Sequence, residues 1–237
     1  MRPKIYLFGD SITEESFSDG GWGASLANHF SRTGDVVLRG YSGYNTRWAL
    51  KVKEKVFSPP EREDAPLAVT VFFGANDACL PDRYGGFQHV PLDEYKHNLL
   101  AIVDFLKNRW PSTCIILITP PPIDEDARLQ HPYVDNHSGL PERTNEAAGS
   151  YAKQCLAVAE ECGVSAIDLW TKMQQFPGWQ KAYLRDGLHL TQSGNKVVFE
   201  EVIKQLREEE IIVETLLADL PLLEEIDPND PLRSFKN

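Results

Sequence analysis

The chain has 237 residues, of which 42% are hydrophobic and 25% are charged. This balance is that of an ordinary globular protein, and it excludes wholesale disorder and an integral membrane protein. The formal net charge of -11 would repel phosphate backbones and anionic lipid surfaces, so the sequence predicts no nucleic-acid partner.

Five short apolar runs rich in β-branched residues predict strands at residues 4–8, 36–41, 67–73, 114–119 and 164–169. Apolar residues at three- and four-residue steps predict helices at about residues 22–31, 46–56, 92–110, 142–161 and 191–209. Because strands and helices alternate, we expect a three-layer αβα domain. Its five-stranded parallel sheet should be of the doubly wound, flavodoxin-like type.

The chain is long enough for one sizeable α/β domain and rather short for two. We place this domain at residues 1–210 and treat residues 211–237 as an acidic C-terminal extension. Residues 208–237 hold nine acidic and two basic residues, a local charge of -7. The apolar residues between Ile211 and Leu223 could pack on the domain or on a second subunit, so we consider a homodimer.

Two stretches, residues 78–91 and 120–141, show no clear period. The first is rich in Gly and Pro, and the second opens with three prolines. Long loops in compact domains are often functional, and the alternative is a plain surface connection. Because they follow the third and fourth predicted strands, both loops could close over a site.

Polar and flexible residues follow several of the predicted strands. In an open parallel sheet, ligands bind beyond the carboxyl ends of the strands. Ser11 follows the first strand, Gly43 the second and Asn76 the third, while a loop with Asp186 and His189 lies after the fifth. A hydroxyl, a backbone amide, a carboxamide and an imidazole should therefore meet at one edge.

Acyl transfer needs a nucleophile, a base and donors for the developing oxyanion. Ser11, at a tight turn from strand to helix, would attack the ester carbonyl. His189 would take the Ser11 proton and return it to the leaving alcohol. Asp186 can reach the other imidazole nitrogen and stabilise the imidazolium. The more ordinary alternatives are a helix cap, a loop histidine and a solvated turn carboxylate, respectively.

Four blocks, in this order along the chain, resemble those of SGNH (GDSL-type) hydrolases: Gly9-Asp10-Ser11, Gly43, Gly74-x-Asn76-Asp77 and Asp186-x-x-His189. The resemblance implies oxyanion donors from the Ser11 N–H, the Gly43 N–H and the Asn76 side-chain amide, with Gly40 as the alternative to Gly43. For Asn76 by itself, an Asx turn is the alternative. Residues 39–50, 74–79 and 119–121 are also similar to isoamyl acetate-hydrolysing esterases.

The sequence therefore predicts a serine esterase acting on short, acetate-type esters through an acyl-enzyme intermediate. Other substrates of the same mechanism are acylated sugars, thioesters and lysophospholipids, and the alternative from another class is a non-catalytic binding module. We expect no cofactor and no metal, because the other histidines lack metal-ligand spacing. Trp22 could line the pocket or belong to the core.

The cysteines and the apolar runs indicate the cellular compartment of the protein. The spacing typical of a small disulfide scaffold is absent from the four cysteines, Cys79, Cys114, Cys155 and Cys162. The first apolar run ends at Asp10, which makes it too short for the apolar core of a secretory signal peptide. No run approaches the roughly 18 to 20 apolar residues that span a bilayer. We therefore expect a cytoplasmic protein without a membrane span.

Overall fold

The computed structural model describes residues 2–57, 65–132, 136 and 138–235. Its five parallel strands have the order β2-β1-β3-β4-β5. Their bounds are β1 (Lys4–Gly9), β2 (Asp35–Gly40), β3 (Ala68–Phe72), β4 (Cys114–Ile118) and β5 (Ser165–Ile167). This order is that of flavodoxin-like, doubly wound sheets, so the predicted fold class is confirmed.

Helices cover both faces of the sheet. In chain order they are α1 (Ser11–Glu14), α2 (Trp22–His29), α3 (Thr46–Val56), α4 (Leu92–Arg109), α5 (Glu125–Gln130), α6 (Asn145–Cys162), α7 (Leu169–Gln174), α8 (Trp179–Tyr183) and α9 (Gln192–Glu208). The five helices expected from periodicity are α2, α3, α4, α6 and α9, and their ends differ from the expected ones by three residues or fewer.

The strands are continuously apolar because the sheet is buried on both faces. Along β1, Ile5 and Leu7 pack into one core, which includes α2 and α9. Tyr6 and Phe8 point the other way into a second core, which includes α3, α4 and α6. Successive side chains of a strand alternate between faces, so each strand contributes to both cores.

Three short helices, α5, α7 and α8, were not expected, and the helix start expected at Ser11 is the short α1. All four have four to six residues, too few to show a helical period. Three of them begin at aspartate caps, namely Asp10, Asp124 and Asp168. Because α7 and α8 follow β5, the loop with Asp186 and His189 does not come directly after that strand.

The last described residues, 211–235, contain short 3₁₀ turns and are held at the amino ends of the strands. The Asp219 carboxylate accepts hydrogen bonds from Arg2, which precedes β1, and from Arg32, which precedes β2. Ile211, Val213 and Leu216 pack against the core beside α9. The site predicted from the sequence lies at the other side of the sheet, beyond the carboxyl ends of the strands. In the described part of the chain, no helix has the length and apolar character to cross a membrane.

Candidate active site

Ser11, His189 and Asp186 form one hydrogen-bonded series. The Ser11 Oγ lies 3.0 Å from His189 Nε2, and the Nδ1 of the same ring lies 2.7 Å from Asp186 Oδ2. Ser11 is the first residue of α1, and it is nearly buried at the carboxyl end of β1. The structure thus brings together the three residues predicted as nucleophile, base and orienting acid. As expected, Ser11 contacts His189, and His189 contacts Asp186.

The Asp186 carboxylate is held by its own loop. Its Oδ1 accepts the backbone N–H groups of Leu188 and His189 at 3.0 and 2.7 Å. Burial by itself would raise the pKa of Asp186, but the hydrogen bond and charge of His189 and these two N–H groups outweigh it. The pKa of Asp186 therefore lies well below its usual value, and the carboxylate is ionised.

Gly43 and Asn76 line the same cavity as Ser11 and His189. Gly43 has a φ of +77°, a left-handed conformation that glycine adopts without strain. Gly40 lies in the β1–β2 ladder opposite Gly9 and is packed so closely that a Cβ would lie 2.0 Å from the Glu14 nitrogen. Gly43, rather than Gly40, therefore faces the cavity.

The Asn76 carboxamide is fixed at both ends. Its Nδ2 donates to the Tyr44 carbonyl at 2.9 Å, and its Oδ1 accepts from Arg143 at 2.9 Å and from Gln88 at 3.3 Å. An amide nitrogen carries two hydrogens, so one remains for a ligand. The Ser11 N–H occupies the first position of α1, where a helix leaves backbone donors without an internal acceptor.

Asp77 connects the Gly43 loop to the end of β3. Its carboxylate accepts the Thr46 backbone N–H at 3.0 Å and the Thr46 hydroxyl, at the first residue of α3. Burial raises the pKa of Asp77 to about 7. The contact places the turn before α3, which contains Gly43, beside Asn76.

Asp10, immediately before Ser11, is also buried. Its Oδ1 accepts the Ile12 N–H at 3.0 Å and caps α1, whereas its buried Oδ2 has no hydrogen-bond partner among the residues that the structure describes. Burial raises the pKa of Asp10 to about 7. Asp10 therefore shapes the turn that carries Ser11.

A sequence model of the GDSL-like lipase/acylhydrolase family matches residues 5–202. The chain belongs to this family. As a GDSL family member it is a carboxylic ester hydrolase.

Several relatives match over most of the chain. A GDSL esterase/lipase of Arabidopsis thaliana is 71% identical over 237 residues, covering 99% of this chain and 98% of the relative. The isoamyl acetate-hydrolyzing esterase 1 homolog of Homo sapiens is 43% identical over 224 residues, with 94% and 86% covered. The crystal structure of a lipase/acylhydrolase from Enterococcus faecalis has a TM-score of 0.68 at 27% identity, with 93% of this chain and 100% of that chain covered.

The cavity of this GDSL hydrolase has a volume of about 270 Å³, near the lower end of the roughly 300–1,000 Å³ of ligand pockets. Loop 78–91 supplies an aromatic rim with Tyr84 and Phe87, and the Phe87 ring stacks on Trp48. Stretch 120–141 supplies Arg128 from the short helix α5. Both loops that lacked a period thus reach the site. A wider depression of about 660 Å³, near Cys114 and Glu209, contains none of the predicted site residues.

Sequence reasoning missed several residues of the cavity wall, among them Gln88, Arg128, Glu142 and Arg143. Gln88 lies in a loop already suspected of a function, and its Nε2 donates to the Gly43 carbonyl at 2.9 Å. Arg143 lies 67 residues from Asn76 along the chain, and no spacing rule connects such positions.

Burial decides between the two alternatives for Trp22. Trp22 is fully buried, and its Nε1 donates to the Ile12 carbonyl at 3.2 Å, so it belongs to the core. In the part of the chain that the structure describes, no cluster of His, Cys, Asp and Glu could hold a metal ion. His137 lies outside the described residues.

Proposed function

We propose that this hydrolase is a serine esterase that cleaves short-chain, acetate-type esters through an acyl-enzyme intermediate. The observation that carries the proposal is the hydrogen-bonded series Ser11–His189–Asp186, open to a cavity that Gly43 and Asn76 share. A nucleophile, a base, an orienting acid and oxyanion donors are the set that acyl transfer needs.

In the first half-reaction, the Ser11 Oγ attacks the ester carbonyl carbon while its proton passes to His189 Nε2. Asp186 stabilises the imidazolium through Nδ1. The carbonyl oxygen becomes an oxyanion that accepts hydrogen bonds from the N–H groups of Ser11 and Gly43 and from Asn76 Nδ2. Collapse of this intermediate breaks the bond to the leaving alcohol, which takes the proton from His189.

In the second half-reaction, a water molecule gives a proton to His189 Nε2 and attacks the acyl carbon bound to Ser11. The same oxyanion donors stabilise the second tetrahedral intermediate. Its collapse releases the carboxylic acid, and the proton returns from His189 to the Ser11 Oγ. The reaction then needs no cofactor.

The lining of the cavity supports a small acyl group. Arg128, Glu142 and Arg143 are charged and almost fully buried beside it. A long alkyl chain against these groups would remove their remaining water without offering a hydrogen bond, which is unfavourable. The lining also includes the aromatic side chains of Trp48, Tyr84 and Phe87. The human relative named for isoamyl acetate hydrolysis supports the same substrate class.

We also propose a cytoplasmic location and a homodimer, as expected from the sequence. The four cysteines are free, which a reducing compartment would maintain. Leu217 and Leu223 in the C-terminal extension are 89% and 87% exposed, which is consistent with a surface available to a second subunit. Fractionation of cells and sedimentation of the purified protein test these two points.

The substrate is tested with p-nitrophenyl esters from acetate to decanoate, with acetylated sugars, acyl-thioesters and lysophospholipids assayed in parallel. We expect kcat/KM to be highest for acetate and to fall steeply at acyl chains of about eight carbons or more, since a closed pocket discriminates by roughly 1–3 kcal/mol per methylene. A steady rise of kcat/KM from acetate to decanoate would contradict an acetate-type substrate and indicate a lipid instead.

The nucleophile is tested with Ser11→Ala, which should lower kcat by a factor of about 10³ or more without changing the fold. Ser31→Ala removes an exposed hydroxyl and should leave activity unchanged. Activity of Ser11→Ala within a few-fold of wild type would refute the mechanism, and an absence of turnover of every ester would favour a binding module.

A further inference from the structure

In addition to Asp10 and Asp77, three charged side chains outside the Ser11–His189–Asp186 series are almost completely buried. Arg128, Glu142 and Arg143 have relative exposures of 3%, 7% and 5%. Charged residues are seldom buried to this degree, because removing an ion from water is costly unless it is paired. Their burial next to the cavity therefore calls for a role beyond stability.

The three side chains form one ion chain. The Nε and Nη2 of Arg128 donate to Glu142 Oε1 at 2.8 and 2.6 Å. The Nη1 of Arg143 donates to the same oxygen at 2.9 Å. Two guanidinium groups and one carboxylate leave one positive charge in this chain, and the Asp186 carboxylate at the Arg128 end balances it.

One end of the chain holds Asn76. The Nη2 of Arg143 donates to Asn76 Oδ1 at 2.9 Å, and its Nε donates to the Ala75 carbonyl at 2.9 Å. A donor with fixed geometry sets which way the carboxamide faces, and a charged donor strengthens the hydrogen bonds of the group that it contacts. The free hydrogen of Asn76 Nδ2 is thereby directed and made a stronger donor.

The other end holds the loop of Asp186. The Nη1 of Arg128 donates to the Asp186 carbonyl at 3.1 Å and lies 3.4 Å from its Oδ2. The backbone of this loop also packs on α5, since a Cβ on Gly187 would lie 2.8 Å from the Arg128 nitrogen. Arg128 therefore contacts both the backbone and the carboxylate of Asp186, the residue that orients His189.

We propose that Arg128, Glu142 and Arg143 are positioning residues, which couple the oxyanion carboxamide of Asn76 to the Asp186–His189 pair and hold both in one geometry. The inference rests on the proposed esterase function, because positioning matters only if an oxyanion forms beside Asn76. Lysine at position 143 would retain the charge, but it has no planar fork to reach Ala75, Asn76 and Glu142 together.

The test is a pair of double-mutant cycles on p-nitrophenyl acetate. Arg143→Ala and Arg143→Lys should lower kcat by about 10- to 100-fold with KM within about twofold. In an Asn76→Ala background, the same substitutions should lower kcat by less than about threefold, because residues that act through one another are not additive. Arg128→Gln should behave in the same way with Asp186→Asn.

The control is Arg47→Ala, which should leave kcat unchanged. It removes the bidentate, solvent-accessible ion pair of Arg47 with Glu94. If Arg143→Ala does not fold, Glu142→Gln, which retains the side-chain volume and one acceptor oxygen, takes its place in the Asn76 cycle.

Equal losses of kcat in the wild-type and Asn76→Ala backgrounds would overturn the inference, as would a loss confined to KM or to melting temperature. In that case the esterase function still stands. If wild type turns over none of the esters, the proposed function fails, and the positioning inference fails with it.

Discussion

At the scale of single residues, Asn76 is the proposed side-chain donor to the oxyanion. Asn76→Ala should lower kcat by about 10²- to 10³-fold, the usual effect of removing one oxyanion donor, with little change in KM. Steady-state kinetics on p-nitrophenyl acetate measure both constants, with the exposed Asn28→Ala as the control. A pure KM effect would instead place Asn76 in substrate binding.

The effect of Asp10 on the free energy of unfolding depends on pH. In the native state its raised pKa of about 7 keeps it protonated where the unfolded chain, with an ordinary pKa of about 4, has already ionised. Between these values the native state binds more protons, so the free energy of unfolding falls as pH rises from about 4 to 7. Ionisation of buried Asp10 thus destabilises the neutral-pH protein.

Asp10→Asn removes this ionisation and retains an acceptor oxygen for the Ile12 N–H. The decrease in unfolding free energy between pH 5 and 8 should therefore be smaller than in wild type, by up to about 3 kcal/mol, since the native pKa lies about two pH units above the start of this range and one pKa unit corresponds to about 1.4 kcal/mol. Urea unfolding at several pH values measures it. Asp19→Asn, at an exposed site, is the control, and an unchanged pH slope in Asp10→Asn would contradict the prediction.

At the scale of elements, the short helix α5 supports the loop of Asp186 and His189. Gly187 in that loop has a φ of +86°, and a Cβ would lie 2.4 Å from the Asp124 carbonyl. Asp124 caps α5, and its N–H donates to the Gly187 carbonyl at 3.0 Å. A side chain at this position would push the loop away from α5 and move His189.

Gly187→Ala should therefore lower kcat by about 10- to 100-fold, because small displacements of catalytic groups have large effects on rate. It should also lower the unfolding free energy by roughly 1–3 kcal/mol. Gly163→Ala is a matched control, since Gly163 also has a positive φ, +58°, but no atom lies within 4 Å of its Cβ position. Equal kcat values for the two variants would show that crowding at Gly187 is unimportant.

At the scale of the whole molecule, the sheet separates the site from the C-terminal extension. The extension is anchored by Asp219 near the amino ends of β1 and β2, whereas Ser11 lies beyond the carboxyl end of β1. Deletion of residues 211–237 should therefore leave kcat within about twofold. Loss of the packing of Ile211, Val213 and Leu216 should lower the melting temperature by roughly 2–4 °C per kcal/mol lost.

Calorimetry and sedimentation of the truncated and full-length chains measure this effect and the proposed homodimer. Replacing the exposed Leu217 and Leu223 by Ser provides the control, because it should change sedimentation only if those side chains meet a second subunit. An unchanged melting temperature and unchanged sedimentation after truncation would show that the extension contributes to neither.

Neighbouring residues in the sequence were enough to predict the sheet, its five main helices and the grouping of Ser11, Gly43, Asn76, Asp186 and His189. Strands and long helices have a period, and parallel strands place their carboxyl ends together, so these features follow from local patterns. Asp186 and His189 lie three positions apart, and their contact is local as well.

Only the tertiary structure decided how those groups are held. The chain from Arg128 through Glu142 and Arg143 to Asn76 joins residues from separate segments, and the choice of Gly43 over Gly40 depended on which backbone faces the cavity. Short helices such as α5 depend on caps and tertiary packing rather than on a period. Contacts between residues far apart in the chain leave no local pattern, because they form only where packing brings the segments together.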